Sequence, residues 1–168
     1  MVLWLAVGAV GCQATSYSPD VSGFYHGNPQ ATYDALAAEG KRGIAEKDEA
    51  LWRSELASAA MGAGNESSAL KSLQAAGRLM GTLDSTPHQR ARAIFSAEAT
   101  KIYRGDPYER CMNALYQGIL YYRAGDKGRA NAAFRRGLLA DGWSAEGEHQ
   151  KDFAALSFLS GWASYQRG

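Results

Sequence analysis

Apolar residues recur at helical spacing along most of the chain after Pro29, and polar residues occupy the positions between them. Glycines, prolines and short polar runs interrupt this pattern at intervals and indicate where helices end. The pattern predicts helices near residues 29–40, 46–62, 66–80, 87–103, 107–123, 127–140 and 150–166. Valine and isoleucine are scarce after residue 21, whereas alanine and glycine are abundant, which also favours closely packed helices over a sheet. The predicted fold class is all-α.

Some helix ends have a clear local cause. In the segment GDPYER, Asp106 can cap the first free amides, Pro107 suits the first helical position, and Glu109 can complete a capping box. Gly64 and Gly125 lie just beyond apolar helices, where a residue with positive φ is common. These features predict helical hairpins with tight glycine turns.

The first residues form a different pattern. Val2 to Val10 are almost continuously apolar, too short a run to span a bilayer but typical of an export signal. Ala9 and Gly11, placed just before Cys12, resemble the lipobox of bacterial lipoproteins. The resemblance implies a signal peptide at 1–11, a lipid attached to Cys12, a tether at 12–28 and a helical domain at 29–168. An N-terminal core helix with a chance cysteine is the alternative.

Composition narrows the function without identifying it. Lys and Arg total 18 against 17 Asp and Glu, so the net charge does not indicate nucleic acid as a partner. A chain of 168 residues can bury a core without a cofactor or a disulfide network. Cys111 falls within an apolar helical stretch, and we expect it to be a small buried residue. No cofactor is predicted.

One predicted hairpin carries a recognisable motif. Small and aromatic residues occupy the signature positions of a tetratricopeptide repeat, where two helices meet closely across a glycine turn. These residues are Gly118, Tyr121, Gly125, Ala130, Phe134 and Gly137. A weaker copy contains Leu56, Ala57, Gly64, Ala69, Leu73 and Ala76. The sequence therefore resembles a tetratricopeptide-like α-solenoid built from antiparallel helical hairpins.

The array predicted from these copies is irregular. Its turn glycines at 64, 125 and 168 are separated by 61 and 43 residues rather than by the 34 of the motif, and a further helix near 87–103 fills the first gap. The order of features resembles a family of bacterial tetratricopeptide-like lipoproteins of unassigned function. That family runs longer, and an ending at the turn residue Gly168 leaves truncation at the C-terminus open.

The resemblance also implies a binding surface. In tetratricopeptide domains, one face of the first helix of each hairpin lines a concave surface that holds peptides. The corresponding residues of the clearer hairpin are Met112, Leu115, Ile119, Tyr122 and Arg123, and those of the weaker copy are Leu51, Ser54, Ser58 and Met61. The implied partner is a protein or peptide of unidentified kind.

Candidate chemistry is sparse along the chain. His26, His88 and His149 lack the spacing of a metal site, and acidic pairs sit at helix starts, where the helix dipole accounts for them. No phosphate-binding loop or nucleophile elbow occurs. The residues Arg123, Arg129, Arg135 and Arg136 form a basic cluster that could bind an anionic group or simply be a solvated helix face. We predict no catalytic residues and no metal ligands.

These observations favour a lipid-anchored protein-interaction scaffold of the bacterial cell envelope. A glutamine, Gln13, follows the lipid-bearing Cys12, which favours the outer membrane with the domain facing the periplasm. Two alternatives stay open. One is an envelope hydrolase, or its accessory subunit, acting on cell-wall material. The other is a structural lipoprotein that self-associates through a face containing Trp162.

Overall fold

The computed structural model describes residues 17–81, 102–141 and 153–167, and all regular secondary structure within these ranges is helical. The helices are α1 (Ser22–Tyr25), α2 (Pro29–Arg42), α3 (Glu49–Gly62), α4 (Glu66–Gly81), α5 (Pro107–Arg123), α6 (Lys127–Asp141) and α7 (Ala154–Tyr165), with a 3-10 turn at Glu46–Asp48. The predicted all-α class is therefore confirmed. In the described chain, each helix packs on the next: α1 on α2, α2 on α3, α3 on α4, α4 on α5, α5 on α6, and α6 on α7.

Most of the predicted helix positions agree with the structure. The helix predicted at 107–123 has those bounds, and those predicted at 29–40, 66–80 and 127–140 differ by one or two residues. The helix predicted at 46–62 begins as the 3-10 turn before α3, and the one predicted at 150–166 is shorter as α7. The short helix α1 was not anticipated. Of the helix predicted at 87–103, only Ile102 and Tyr103 are described, and they are not helical.

The turns of the α3–α4 and α5–α6 hairpins share one hydrogen-bonding pattern. In the first, Asn65 N donates to Ala60 O at 2.8 Å; in the second, Asp126 N donates to Tyr121 O at 2.9 Å. The side chains of Asn65 and Asp126 then accept from the backbone amide three residues later and so cap the next helix. Gly64 and Gly125 have φ values of 75° and 82°, which a residue without Cβ adopts at little cost. The predicted glycine turns are confirmed.

Inside each hairpin the helices meet through residues of matched size. In α3–α4, Ala57, Ala60, Ala69 and Leu73 form a buried cluster. In α5–α6, a Cβ on Gly118 would overlap the ring of Phe134, which is 1% exposed. The absence of a side chain at Gly118 therefore makes room for a large one across the interface.

A glycine on the earlier helix also recurs where one helix packs on the next. A Cβ on Gly40 of α2 would overlap the Trp52 ring of α3, and one on Gly77 of α4 would lie 2.8 Å from Asn113 Oδ1 of α5. One on Gly137 of α6 would lie 2.7 Å from a methyl carbon of Leu156, on α7. Each of these helix pairs depends on a residue without Cβ at its point of closest approach.

Side-chain donors fix the register at two of these contacts. Trp52 Nε1 donates to Leu36 O at 3.0 Å, and Asn113 Nδ2 donates to Leu73 O at 3.0 Å. Gln117 Nε2 donates to the same Leu73 carbonyl at 3.1 Å and to Asn113 Oδ1 at 2.6 Å. Because Asn113 and Gln117 are buried, a shift of α5 along α4 would leave these polar groups without partners.

The C-terminal helix α7 covers the outer side of the α5–α6 hairpin. Leu156 and Ala163 are fully buried in a cluster with Cys111 and Phe134. Asn131 of α6 donates to Ser164 Oγ at 2.6 Å and accepts from Ser160 Oγ at 3.0 Å. Cys111 is buried as expected, and its thiol donates to Gly137 O at 3.4 Å.

Candidate functional site

An open groove of about 700 Å³ lies between α3 and α5. The first helices of the two hairpins supply its two sides. The other described lining residues belong to α1 and the residue before it, to α2, to α4 and to the segment before α5. It is lined mainly by apolar and aromatic groups, with a few polar side chains among them. This combination is typical of a binding surface.

The α3 side of the groove is one stripe of the helix. Leu51, Ser54, Glu55, Ser58 and Met61 line it, at the spacing of a single helical face. Ser54 Oγ donates to Ala50 O at 2.9 Å and Ser58 Oγ donates to Ser54 O at 3.0 Å. Because both hydroxyls are bonded to their own helix, the two serines mainly provide space rather than polar contacts.

The α5 side is larger and more aromatic. Tyr108, Glu109, Met112, Asn113 and Tyr116 line it. The capping box predicted at the start of this helix is confirmed: Glu109 N donates to Asp106 Oδ1 at 2.9 Å, and Asp106 N donates to Glu109 Oε2 at 2.8 Å. Glu109 therefore fixes the first turn of α5 and also presents a carboxylate to the groove.

Each of the two groove carboxylates accepts a hydrogen bond from a tyrosine. Tyr17 donates to Glu55 Oε2 at 2.5 Å, and Tyr103 donates to Glu109 Oε1. Burial raises the pKa of Glu55, and the nearby charge of Glu39 raises it further, against the opposing effect of the Tyr17 hydrogen bond. Burial, the bond to Glu109 and the charges of Glu109, Asp106 and Glu55 raise the pKa of Tyr103. Tyr103 thus lies within the field of both groove carboxylates.

Thr32 contributes an unusual polar group to the lining. It is 3% exposed, and its Oγ1 has no hydrogen-bond partner among the described residues. A buried hydroxyl without a partner is costly by about 1–3 kcal/mol. This oxygen has almost no accessible surface, so it is closed to a molecule in the groove as well as to water.

The structure separates the residues that the sequence predicted for a concave surface. All those of the weaker copy, Leu51, Ser54, Ser58 and Met61, line the groove, and so does Met112. Leu115, Ile119 and Tyr122 instead pack against the cluster that contains Leu156 and Ala163 of α7. Trp162 Nε1 donates to Tyr122 Oη at 2.8 Å, and Arg123 pairs with Glu66 at 2.5 Å. The groove thus contains all the residues predicted for the concave surface of the α3–α4 hairpin, but only Met112 of those predicted for the α5–α6 hairpin.

Several groove residues were not predicted as site residues. Thr32, Glu55, Tyr103 and Tyr116 come from separate parts of the chain, and Glu109 was assigned only a capping role. The helical period places Glu55 next to Ser54 and Ser58 on α3, which was the one available signal for it. Nothing in the local sequence of Thr32 or Tyr103 indicates that they approach α3 and α5.

The other candidates from the sequence either fall outside the described residues or do not line the groove. Cys12, His88 and His149 fall outside the described residues, and His26 is exposed at the end of α1. The predicted basic cluster is divided among separate partners: Arg129 pairs with Asp126 at 2.5 Å and Arg136 donates to Gln117 Oε1 at 2.9 Å. Within residues 17–81, 102–141 and 153–167, no group of His, Cys, Asp and Glu side chains is arranged to hold a metal ion.

None of the helices in the described ranges is both long and apolar enough to cross a membrane. Searches against protein-family models, curated proteins and solved structures found no match to the chain.

Proposed function

We propose that this protein is a protein-interaction scaffold that holds a segment of its partner in the groove between α3 and α5 and has no catalytic activity of its own. The observation that carries the proposal is the groove itself, about 700 Å³ in volume and lined by Leu51, Ser54, Ser58, Met61 and Met112. The packed helices hold its walls in place, so little conformational entropy is lost when a peptide docks.

The arrangement of the helices supports a tetratricopeptide-like solenoid as the scaffold. Two antiparallel hairpins share their turn chemistry at positions 61 residues apart. Gly118 and Phe134, which match the signature positions of the motif, are in contact across the second hairpin. Glycines on α2, α4 and α6 each lie against the following helix, which is the kind of nearest-neighbour stacking that builds a solenoid.

We further propose that the scaffold is a lipoprotein of the bacterial cell envelope, anchored through Cys12 in the outer membrane and facing the periplasm. The support is the apolar run from Val2 to Val10 followed by small residues and Cys12. The intact mass of protein recovered from bacterial membranes tests this. A species that begins at Cys12 and carries acyl chains, absent in Cys12→Ala, is expected; an unmodified chain that retains Met1 would contradict the anchor.

Site-specific photo-crosslinking in bacterial cells tests the groove. A photoreactive phenylalanine placed at Ser58, in the groove, is compared with the same group at Ser67, which is exposed on α4 and outside the groove. We expect a discrete adduct from position 58 and none from position 67. Ser54→Trp, which fills the groove, should weaken the adduct from position 58. Identical adduct patterns at both positions would refute the groove as the binding surface.

A second candidate function is self-association, and one surface favours it. Phe158 and Tyr165 on α7 are 70% and 77% exposed, and Trp162 lies between them in sequence and is also exposed. Exposed aromatic residues at this density often mark an interface. Sedimentation at increasing protein concentration tests this candidate, with Phe158→Ser as the matched variant. The parent chain is expected to associate as its concentration rises, and the variant is expected to stay monomeric. A chain that stays monomeric would eliminate this candidate.

A further inference from the structure

The charged residues of the groove are acidic, although the chain as a whole has a small positive charge. The chain has a formal net charge of +1, but the groove is lined by Glu55 and Glu109 and by no described lysine, arginine or histidine. Neither carboxylate forms an ion pair among the described residues; each accepts a hydrogen bond from a tyrosine instead. The groove therefore contains two carboxylates with which no basic side chain of the described chain forms an ion pair.

Further acidic groups strengthen this field. The Glu39 carboxylate acts on Glu55, and Asp106 acts on Tyr103 beside Glu109. A cation entering the groove would meet these charges in a partly desolvated setting, where attraction is stronger than in bulk water. An acidic segment would meet repulsion from the same groups, so the groove discriminates by the sign of charge.

The aromatic and apolar residues define the rest of the occupant. Tyr25 and Tyr108 are 81% and 61% exposed and line the groove, where their ring faces can accept a guanidinium or ammonium group. Leu51, Met61 and Met112 provide an apolar surface for an uncharged side chain. A volume of about 700 Å³ accommodates several side chains rather than one small cation.

From these features we propose that the groove is specific for a basic amphipathic segment of a partner protein, with lysine or arginine side chains directed to Glu55 and Glu109 and an apolar side chain on the Leu51–Met61–Met112 surface. This inference rests on the proposed function, because it names the partner of the same groove.

Selection from a random peptide-display library on the full chain carrying Cys12→Ala tests the proposal. Selected peptides are then measured by fluorescence anisotropy against Glu55→Gln/Glu109→Gln, which removes both charges but leaves an acceptor oxygen for each tyrosine. Glu46→Gln, at an exposed position outside the groove, controls for the loss of a charge. Ser58→Trp blocks the groove, and Ser67→Trp places the same ring on α4 outside it.

We expect enriched peptides to carry Lys or Arg beside an apolar residue and to bind the Ser67→Trp and Glu46→Gln variants as they bind the parent chain. Ser58→Trp should abolish binding, and the double glutamine variant should weaken it about tenfold, as expected for two partly exposed charge pairs. Binding should also weaken as the salt concentration rises.

The outcomes separate this inference from the function on which it rests. Some selected peptides could fail to bind Ser58→Trp and yet lack basic residues, or bind the double glutamine variant as well as the parent chain. That result would overturn the preference for a basic segment but leave the proposed scaffold function intact. A library that yields no peptide sensitive to Ser58→Trp would overturn both. The parent chain could instead form dimers as its concentration rises, and Ser58→Trp could abolish them. The groove would then bind a second copy of the chain, and the proposal of a basic segment from a partner protein would be overturned.

Discussion

The α3–α4 and α5–α6 hairpins have the same turn and different interiors. The two turns coincide at positions 61 residues apart. In each, the amide of Asn65 or Asp126 donates to the carbonyl five residues earlier, and the glycine before it has a positive φ. Between the helices, Ala57 shares a cluster with Leu73 in the first hairpin, whereas Gly118 contacts Phe134 in the second. The turn depends on local backbone chemistry, while the interior requires only that a smaller residue face a larger one.

A second difference concerns the outer faces of the first helices. Ser54, Ser58 and Met61 of α3 line the open groove, but their equivalents on α5, which are Leu115, Ile119 and Tyr122, pack against the cluster that includes α7 residues. Corresponding positions of the two hairpins are therefore not equally accessible. The face of α5 is covered because α7 residues pack against it.

The largest expected effect comes from emptying the two interiors. Phe134→Ala should reduce the free energy of unfolding by about 3–5 kcal/mol, and Leu73→Ala by about 2–5 kcal/mol, since both side chains are buried. Urea denaturation of the purified chain measures both values. Leu139→Ala, at an exposed position on α6, is the control and should change stability little. A small effect of Phe134→Ala would contradict the packing described for the second hairpin.

A smaller effect is expected from making the second interior resemble the first. Gly118→Ala places a methyl group against the buried Phe134 ring and should destabilise the chain by about 2–3 kcal/mol, despite the better helix propensity of alanine. Adding Phe134→Leu reproduces the Ala57–Leu73 pair and should recover about 1 kcal/mol of that loss. A double-mutant cycle measures the coupling, and strictly additive effects would show that the two positions do not compensate.

The shared turns predict equal and more modest effects. Gly64→Ala and Gly125→Ala should each cost about 1–2 kcal/mol, because alanine adopts the positive φ of these turns only with strain. No neighbouring atom lies within 4 Å of the added Cβ at either position, so no steric overlap adds to this cost. Gly161→Ala, which is inside α7 and also has open space, should stabilise by up to about 1 kcal/mol. Unequal losses at positions 64 and 125 in thermal denaturation would contradict the equivalence of the two turns.

The smallest effect concerns Glu55 of α3, a groove carboxylate whose equivalent on α5, 61 residues later, is Tyr116. Folding raises the pKa of Glu55 above its ordinary value of 4.5, mainly through burial, so the folded chain favours the protonated form. Its stabilising contribution is present below pH 4.5 and is lost as the pH rises through the folded-state pKa. The melting temperature of Glu55→Gln relative to the parent should therefore increase over that range.

Ser58→Ala provides the control for this measurement, because it changes the same face of α3 without a titratable group. Its melting curve should shift in parallel with that of the parent as the pH changes. A difference between Glu55→Gln and the parent that stays constant from acid to neutral pH would contradict the raised pKa of Glu55 and the burial that causes it.

Much of the fold could be predicted because its causes lie within a few residues. The capping box of Asp106 and Glu109, the positive φ of Gly64 and Gly125, and the helical period of the apolar residues are all local. The size match between Gly118 and Phe134 was also visible, since the hairpin motif specifies both positions. The short helix α1 was missed because four residues carry too little of a periodic pattern.

The sequence alone therefore determined helices α2 to α7, the glycine turns and the Gly118–Phe134 contact, since each depends on neighbours along the chain or on one adjacent helix. Only the tertiary structure decided where the groove lies and what charge it carries. Thr32, Glu55, Tyr103 and Glu109 come from separate segments. They meet because α2 packs on α3, α3 on α4 and α4 on α5 in one particular register. A nearly neutral composition cannot reveal a local field, because the field depends on where the charged residues lie in space rather than on their total number.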